Sequence, residues 1–126
     1  MQFDKDIQGE FSDIFLKLRE ILLSFEEIKE VKNAKQTSYH DLYGVVAMMR
    51  DRGDKLVFAL GKGAILQTKY PFLQGSGKIV RHLYFKSIKE IDEKLIREII
   101  EESLVLNMEA NELKILRKSL SQKADR

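Results

Sequence analysis

The residues with the most chemical potential fall close together. Gly75, Ser76, Gly77, Lys78, Arg81 and His82 lie within eight positions of one another. Two glycines let a backbone approach a ligand closely. Successive amides at Ser76, Gly77 and Lys78 can form a nest for an anion, and Lys78 adds a full positive charge. A nucleoside triphosphate loop needs two glycines separated by four residues, then Lys and Ser or Thr, between a strand and a helix. Here Ile79 follows Lys78, and a strand-like run follows the loop, so the pattern favours a small anion over a nucleotide. If the strand starts at Ile79, alternation puts Lys78 and His82 on one face, about 13 Å apart at 3.3 Å per residue. The amides and Lys78 would then anchor the ligand, with His82 reaching a more distant part of it. Arg81 points to the other, more apolar face and is expected to form a structural ion pair or to contact ligand there.

Other candidates carry less. His40 and His82 are the only histidines and there is no cysteine, which excludes a His-rich site, disulfides and thiol chemistry. His40 and Asp41 are adjacent, so on a strand they point to opposite faces and form no acid–base pair unaided. Arg52-Gly53-Asp54 reads as a hairpin turn. Acids at Asp13, Glu20 and Glu27 recur along the first helical stripe, and such a stripe can hold a hard cation weakly through oxygen ligands. No nucleophile and base stand at a spacing that suggests an enzyme.

The elements that would position these residues are read from periodicity. Phe11, Ile14, Phe15, Leu18, Ile21, Leu22, Phe25 and Ile28 predict a helix from about Gly9 to Val31. Residues 34–41 read as a connection or a short edge strand. Val45–Met49 and Leu56–Leu60 predict a hairpin turning at Gly53; both faces are apolar, so the strands are expected to be central and covered on both sides. Ala64–Thr68 and Ile79–Phe85 read as a third and a fourth strand. A second helix starts at Ser87, which has capping-box spacing to Glu90, or at Asp92. Asp92 is preferred for the cleaner stripe of Leu95, Ile96, Ile99, Ile100 and Leu104. A break at Asn107 or Asn111 then precedes a short third helix carrying Leu113, Leu116 and Leu120.

These elements predict an α+β fold, with a four- or five-stranded antiparallel sheet packed with an N-terminal helix and C-terminal helices. One domain spans residues 1–126, with a core of about 10–106 and a helical tail over 107–126. The net charge of +2 is uneven. Residues 34–86 hold nine basic and three acidic side chains, whereas 1–33 and 87–110 are net acidic. A basic middle favours anions but lacks the clustered stripe of a nucleic-acid binder. No apolar run approaches the roughly 18 residues of a membrane span. Met1–Glu10 has no signal-peptide pattern, so the expected location is cytoplasmic. An isologous homodimer is the expectation from the commonest oligomer type.

Residues 53–106 carry a resemblance. Gly53–Phe58, Leu73–Lys78, Arg81-His82-Leu83 and the Ile91-Asp92 helix start resemble the YdhG-like domain family, catalogued mainly as a domain of unknown function. The most specific piece is Gly-x-Gly-Lys-x-x-Arg-His, here Gly75 to His82. The first helix and Ser38-Tyr39 follow in the same order, so the likeness covers about residues 10–106. Relatives place Gly and Pro soon after the Ser-Tyr pair; here His40, Asp41 and Leu42 follow. The resemblance implies an antiparallel α+β fold. A branch described as frataxin-like iron chaperones implies iron as the alternative cofactor, held by first-helix acids such as Glu20 and Glu27. The first expectation is a non-enzymatic module holding an anionic ligand or a protein partner near Gly75–His82, with no cofactor.

Overall fold

In the computed structural model, which describes residues 1–124, five antiparallel strands form one meander in the order β1-β2-β3-β4-β5. The strands are β1 (Lys29–Lys32), β2 (Thr37–His40), β3 (Val45–Asp51), β4 (Leu56–Leu60) and β5 (Arg81–Phe85). Helices α1 (Gln2–Asp6), α2 (Ser12–Leu23), α3 (Gly63–Leu66) and α4 (Glu93–Ala124) complete the chain. The α+β class and the antiparallel sheet between N-terminal and C-terminal helices agree with the sequence.

One apolar core joins the helices to a single face of the sheet. Phe15, Leu18, Ile21 and Leu22 of α2 and Ile96, Ile99 and Ile100 of α4 pack with Ala47, Met49, Leu56, Phe58, Leu60 and Phe85. The predicted cover on both sides is therefore corrected. Val57 and Ala59, the alternate residues of β4, are buried yet stand outside that cluster, on the opposite face, which no helix covers among the described residues. Their cross-strand partners are Arg50 and Tyr84 for Val57, and Met48 and His82 for Ala59.

The first helix is shorter than predicted. Ser24 caps its end, its hydroxyl donating to the Ile21 carbonyl at 2.6 Å. Phe25 and Ile28 keep helical spacing but reach the core from a turn, and the predicted last helical turn is instead the edge strand β1. Residues 34–41 also differ from the reading as a connection or edge. They supply β2, paired on both sides, with Thr37, Ser38 and Tyr39 buried. The Tyr39 hydroxyl donates to Glu30 at 2.9 Å, and Arg19 donates twice to the same carboxylate. Burial pushes Glu30 up, but these two donors outweigh it and hold its carboxyl below the usual range.

The predicted third strand at Ala64–Thr68 is helix α3. A three-residue apolar run fits either period; here Leu66 faces the core while Ile65 is 59% exposed. The fourth run is a strand only from Arg81. Both proposed starts of the C-terminal helix exist: Ser87 and Glu90 form a capping box on a single 3₁₀ turn, and Asp92 accepts from the Leu95 amide. The predicted break near Asn107 is absent. Asn107 is buried within a continuous α4, its amide donating to Asp41 and to the Val45 carbonyl.

Asp6 pins α1 to β3. It accepts from Gln2 at 2.8 Å and from the Asp51 amide at 3.0 Å, while its second oxygen is buried without a partner. Burial raises its pKa above the ordinary value of 3.8. A raised acid favours folding most when protonated, and that stability is lost as pH rises through the folded-state pKa. Asp6→Asn should therefore gain stability over the wild type as pH climbs from about 4 towards neutrality. Urea unfolding at several pH values checks this; a loss that is constant across pH would contradict it.

Candidate functional site

Register places a distinct set of side chains on the uncovered face. One row runs Ser38–Met48–Ala59–His82 across four strands. The next runs Arg50–Val57–Tyr84, with Gln36 leading into it from β2. Between the rows lies a concavity of about 300 Å³. Its floor is Met48, Val57 and Ala59, and Lys35, Gln36, Arg50 and His82 stand around it. No carboxylate among the described residues lines it, in contrast to the two larger grooves beside α4, where Glu27 with Asp41 and Glu102 with Glu109 take part. Neither Lys35 nor Arg50 forms an ion pair among the described residues. A strand spacing near 4.8 Å puts Arg50 and His82 about 12 Å apart, diagonally across Val57 and Ala59.

The His82 ring is held firmly. It stacks on Tyr84, with centroids 5.8 Å apart and planes 8° from parallel, and Lys55 covers Tyr84 with its ammonium 3.9 Å from the ring centre. Its Nδ1 is buried without a hydrogen-bond partner. A bare nitrogen tolerates that better than a buried N–H does, so we assign the proton to Nε2, which makes that nitrogen a donor. Gly75 explains the burial. It takes φ +124°, and a Cβ there would sit 3.4 Å from both His82 Nδ1 and Arg81 Cδ. The loop is tied down by Gln74, which exchanges two backbone hydrogen bonds with His82.

The sequence-predicted residues divide accordingly. His82 lines the concavity and Gly75 packs behind it. Ser76, Gly77 and Lys78 lie in an exposed loop, and Gly75 alone among them takes positive φ. Because β5 begins at Arg81, Lys78 is not on the strand face of His82; it precedes the strand. Among the described residues Arg81 forms no ion pair. Its guanidinium donates to Gln67 Oε1 at 2.9 Å and to the carbonyls of Gly77 and Val80, so it ties the loop to the chain after α3 through neutral acceptors. Asp41 is occupied structurally, accepting from the Tyr43 and Gly44 amides. At the hairpin turn Gly53 takes φ +100°, and the Arg52 guanidinium holds the Asp54 carboxyl down at about 2.

Glu20 is on α2, exposed and bonded to Lys17 at 3.4 Å, but Glu27 falls in the turn after that helix. The acidic stripe of the sequence is therefore not one helical face. Among the described residues no group of three or more His, Asp or Glu side chains is placed to hold a metal. No helix among them is long and apolar enough to cross a membrane.

Lys35 and Arg50 were missed by sequence reasoning. The available signal was the alternation Met48, Arg50 within an apolar strand, in the most basic part of the chain. Comparison with protein-family models, with curated proteins and with solved structures finds no match to this chain. The functional reading therefore rests on the geometry of the uncovered face.

Proposed function

We propose that this chain is a non-enzymatic binding module for a small organic anion, held on the uncovered face of the sheet. The observation that carries the reading is the concavity itself, free of acids among the described residues, with an apolar floor flanked by Lys35 and Arg50, two cations that form no ion pair there, and by an imidazole donor. The anionic group sits by Arg50 and Lys35, where hydrogen bonds to charged donors are stronger than neutral ones, and the His82 Nε2–H, about 12 Å from Arg50 across the strands, meets a more distant part of the ligand. The apolar body covers Met48, Val57 and Ala59, which lie outside the folding core. The volume suits a compact ligand at the small end of ordinary pockets, which run to roughly 300–1,000 Å³. Gly75, packed against the imidazole, keeps it in place, and Lys78 lies in the exposed loop that follows.

The stack of His82, Tyr84 and Lys55 supports a small ligand over a nucleic-acid strand. One face of Tyr84 is taken by His82 and Lys55 also packs on that ring, which leaves little aromatic surface for successive bases to stack on. Titration with 1-anilinonaphthalene-8-sulfonate, an apolar anion, tests the reading. Lys35→Glu combined with Arg50→Glu should weaken binding at least about 10-fold, the loss expected for charge-assisted bonds of about 1.5–3 kcal/mol. The melting temperature should change little, because both side chains lie outside the core. Unchanged affinity in the folded double variant would refute the site.

A further inference from the structure

The distal half of α4 stands away from its own domain. Among the residues whose burial is described, Asn107 is the last buried one of the helix, and residues 108–124 extend the helix by about 25 Å at 1.5 Å per residue. Leu113, Leu116 and Leu120 are each about half exposed, and their spacing of three and four residues puts them on one side. That side continues into a groove of about 410 Å³ between α3 and α4, with Ile65, Leu66, Val105 and Leu106 among its walls.

We infer that this arm pairs with the arm of a second copy, antiparallel, about a two-fold axis near Leu113. Two independent features fit that occupant. With the axis at Leu113, Leu120 of one copy falls level with Leu106 of the other and enters the α3–α4 groove. The charges are also self-complementary. Glu102, Glu109 and Glu112 occupy the root, and Lys114, Arg117 and Lys123 the tip. The same axis sets Arg117 level with Glu109 and Lys114 with Glu112. Parallel pairing would set like charges together. A lipid surface fits less well, because Glu109 and Glu112 interrupt the apolar arc and would have to leave water, whereas a second arm meets them with cations.

Sedimentation velocity on the full chain from about 1 to 100 µM tests this. The wild type should be a dimer. Leu116→Glu with Leu120→Glu should raise the dimer dissociation constant at least about 30-fold, with a dispersed amide spectrum showing that the domain stays folded. Arg117→Glu and Glu109→Arg should each weaken the dimer, and the double swap should restore it. A second assay follows flotation with anionic phosphatidylserine vesicles. A monomeric wild type at 100 µM, a dimer indifferent to the leucine changes, a double swap that fails to rescue, or a monomer that floats with vesicles would each overturn the proposal.

Discussion

Phe58→Ala is expected to destabilise the domain by about 3–5 kcal/mol, the range for removing a fully buried aromatic side chain. Phe58 is 0% exposed on β4, which pairs with β3 on one side and β5 on the other. Its ring faces the helices, between Met49 and Leu83 in the same row across the sheet. Neighbouring strands hold the backbone in place, so the void cannot collapse easily, and the cost should sit in the upper part of the range. For a domain that gains only about 5–15 kcal/mol on folding, that is a large share. Val57→Ala, one residue along but on the uncovered face, should cost clearly less, about 1 kcal/mol. Chemical denaturation of the two variants compares the faces directly. Equal losses would contradict a sheet covered on one side.

Gly63→Ala is expected to cost about 3 kcal/mol, the upper part of the range for forcing extra atoms into a packed site. Gly63 opens α3 where that helix crosses the start of β5. A Cβ there would overlap the Arg81 backbone nitrogen and lie 2.8 Å from Arg81 Cα. The obstacle is backbone in a paired strand and cannot swing aside as a flexible side chain would. Relief would require shifting β5 or α3, and β5 carries His82. The same substitution should therefore weaken binding of the anilinonaphthalene sulfonate in whatever fraction remains folded. Ala in place of Gly within a helix would otherwise be favourable, so the sign of the effect is diagnostic. A stabilised variant would show that α3 does not approach β5 this closely.

The parts of the fold that were legible are those in which one local signal sufficed. The β3–β4 hairpin followed from two apolar runs around Gly53, and that glycine does take positive φ. The α4 start followed from Asp92 and the stripe behind it. The misread elements are those in which tertiary contacts override local pattern. Phe25 and Ile28 preserve helical spacing because both must reach the core, although the chain between them has already turned. Thr37, Ser38 and Tyr39 look like surface residues but belong to an interior strand, where the Glu30 and Arg19 contacts satisfy the Tyr39 hydroxyl. Asn107 looks like a break and is instead a buried contact to the β2–β3 connection.

The candidate site divides in the same way. His82 could be found from its neighbours in sequence, and Gly75 beside it. Lys35 and Arg50 could not, because they meet His82 only through the order and register of β2, β3, β4 and β5. Lys78 was misplaced for a related reason: starting the strand two residues too early put it on a face it does not occupy.

The uncovered face is tested most directly by a ¹⁵N–¹H correlation titration of the wild-type chain with 1-anilinonaphthalene-8-sulfonate. The account predicts saturable shifts concentrated at Gln36, Met48, Arg50, Val57, Ala59 and His82, with the α2 and α4 amides quiet. Shifts centred instead on α4 and the Leu42–Tyr43 turn, or no saturable shift at the strand residues, would contradict it.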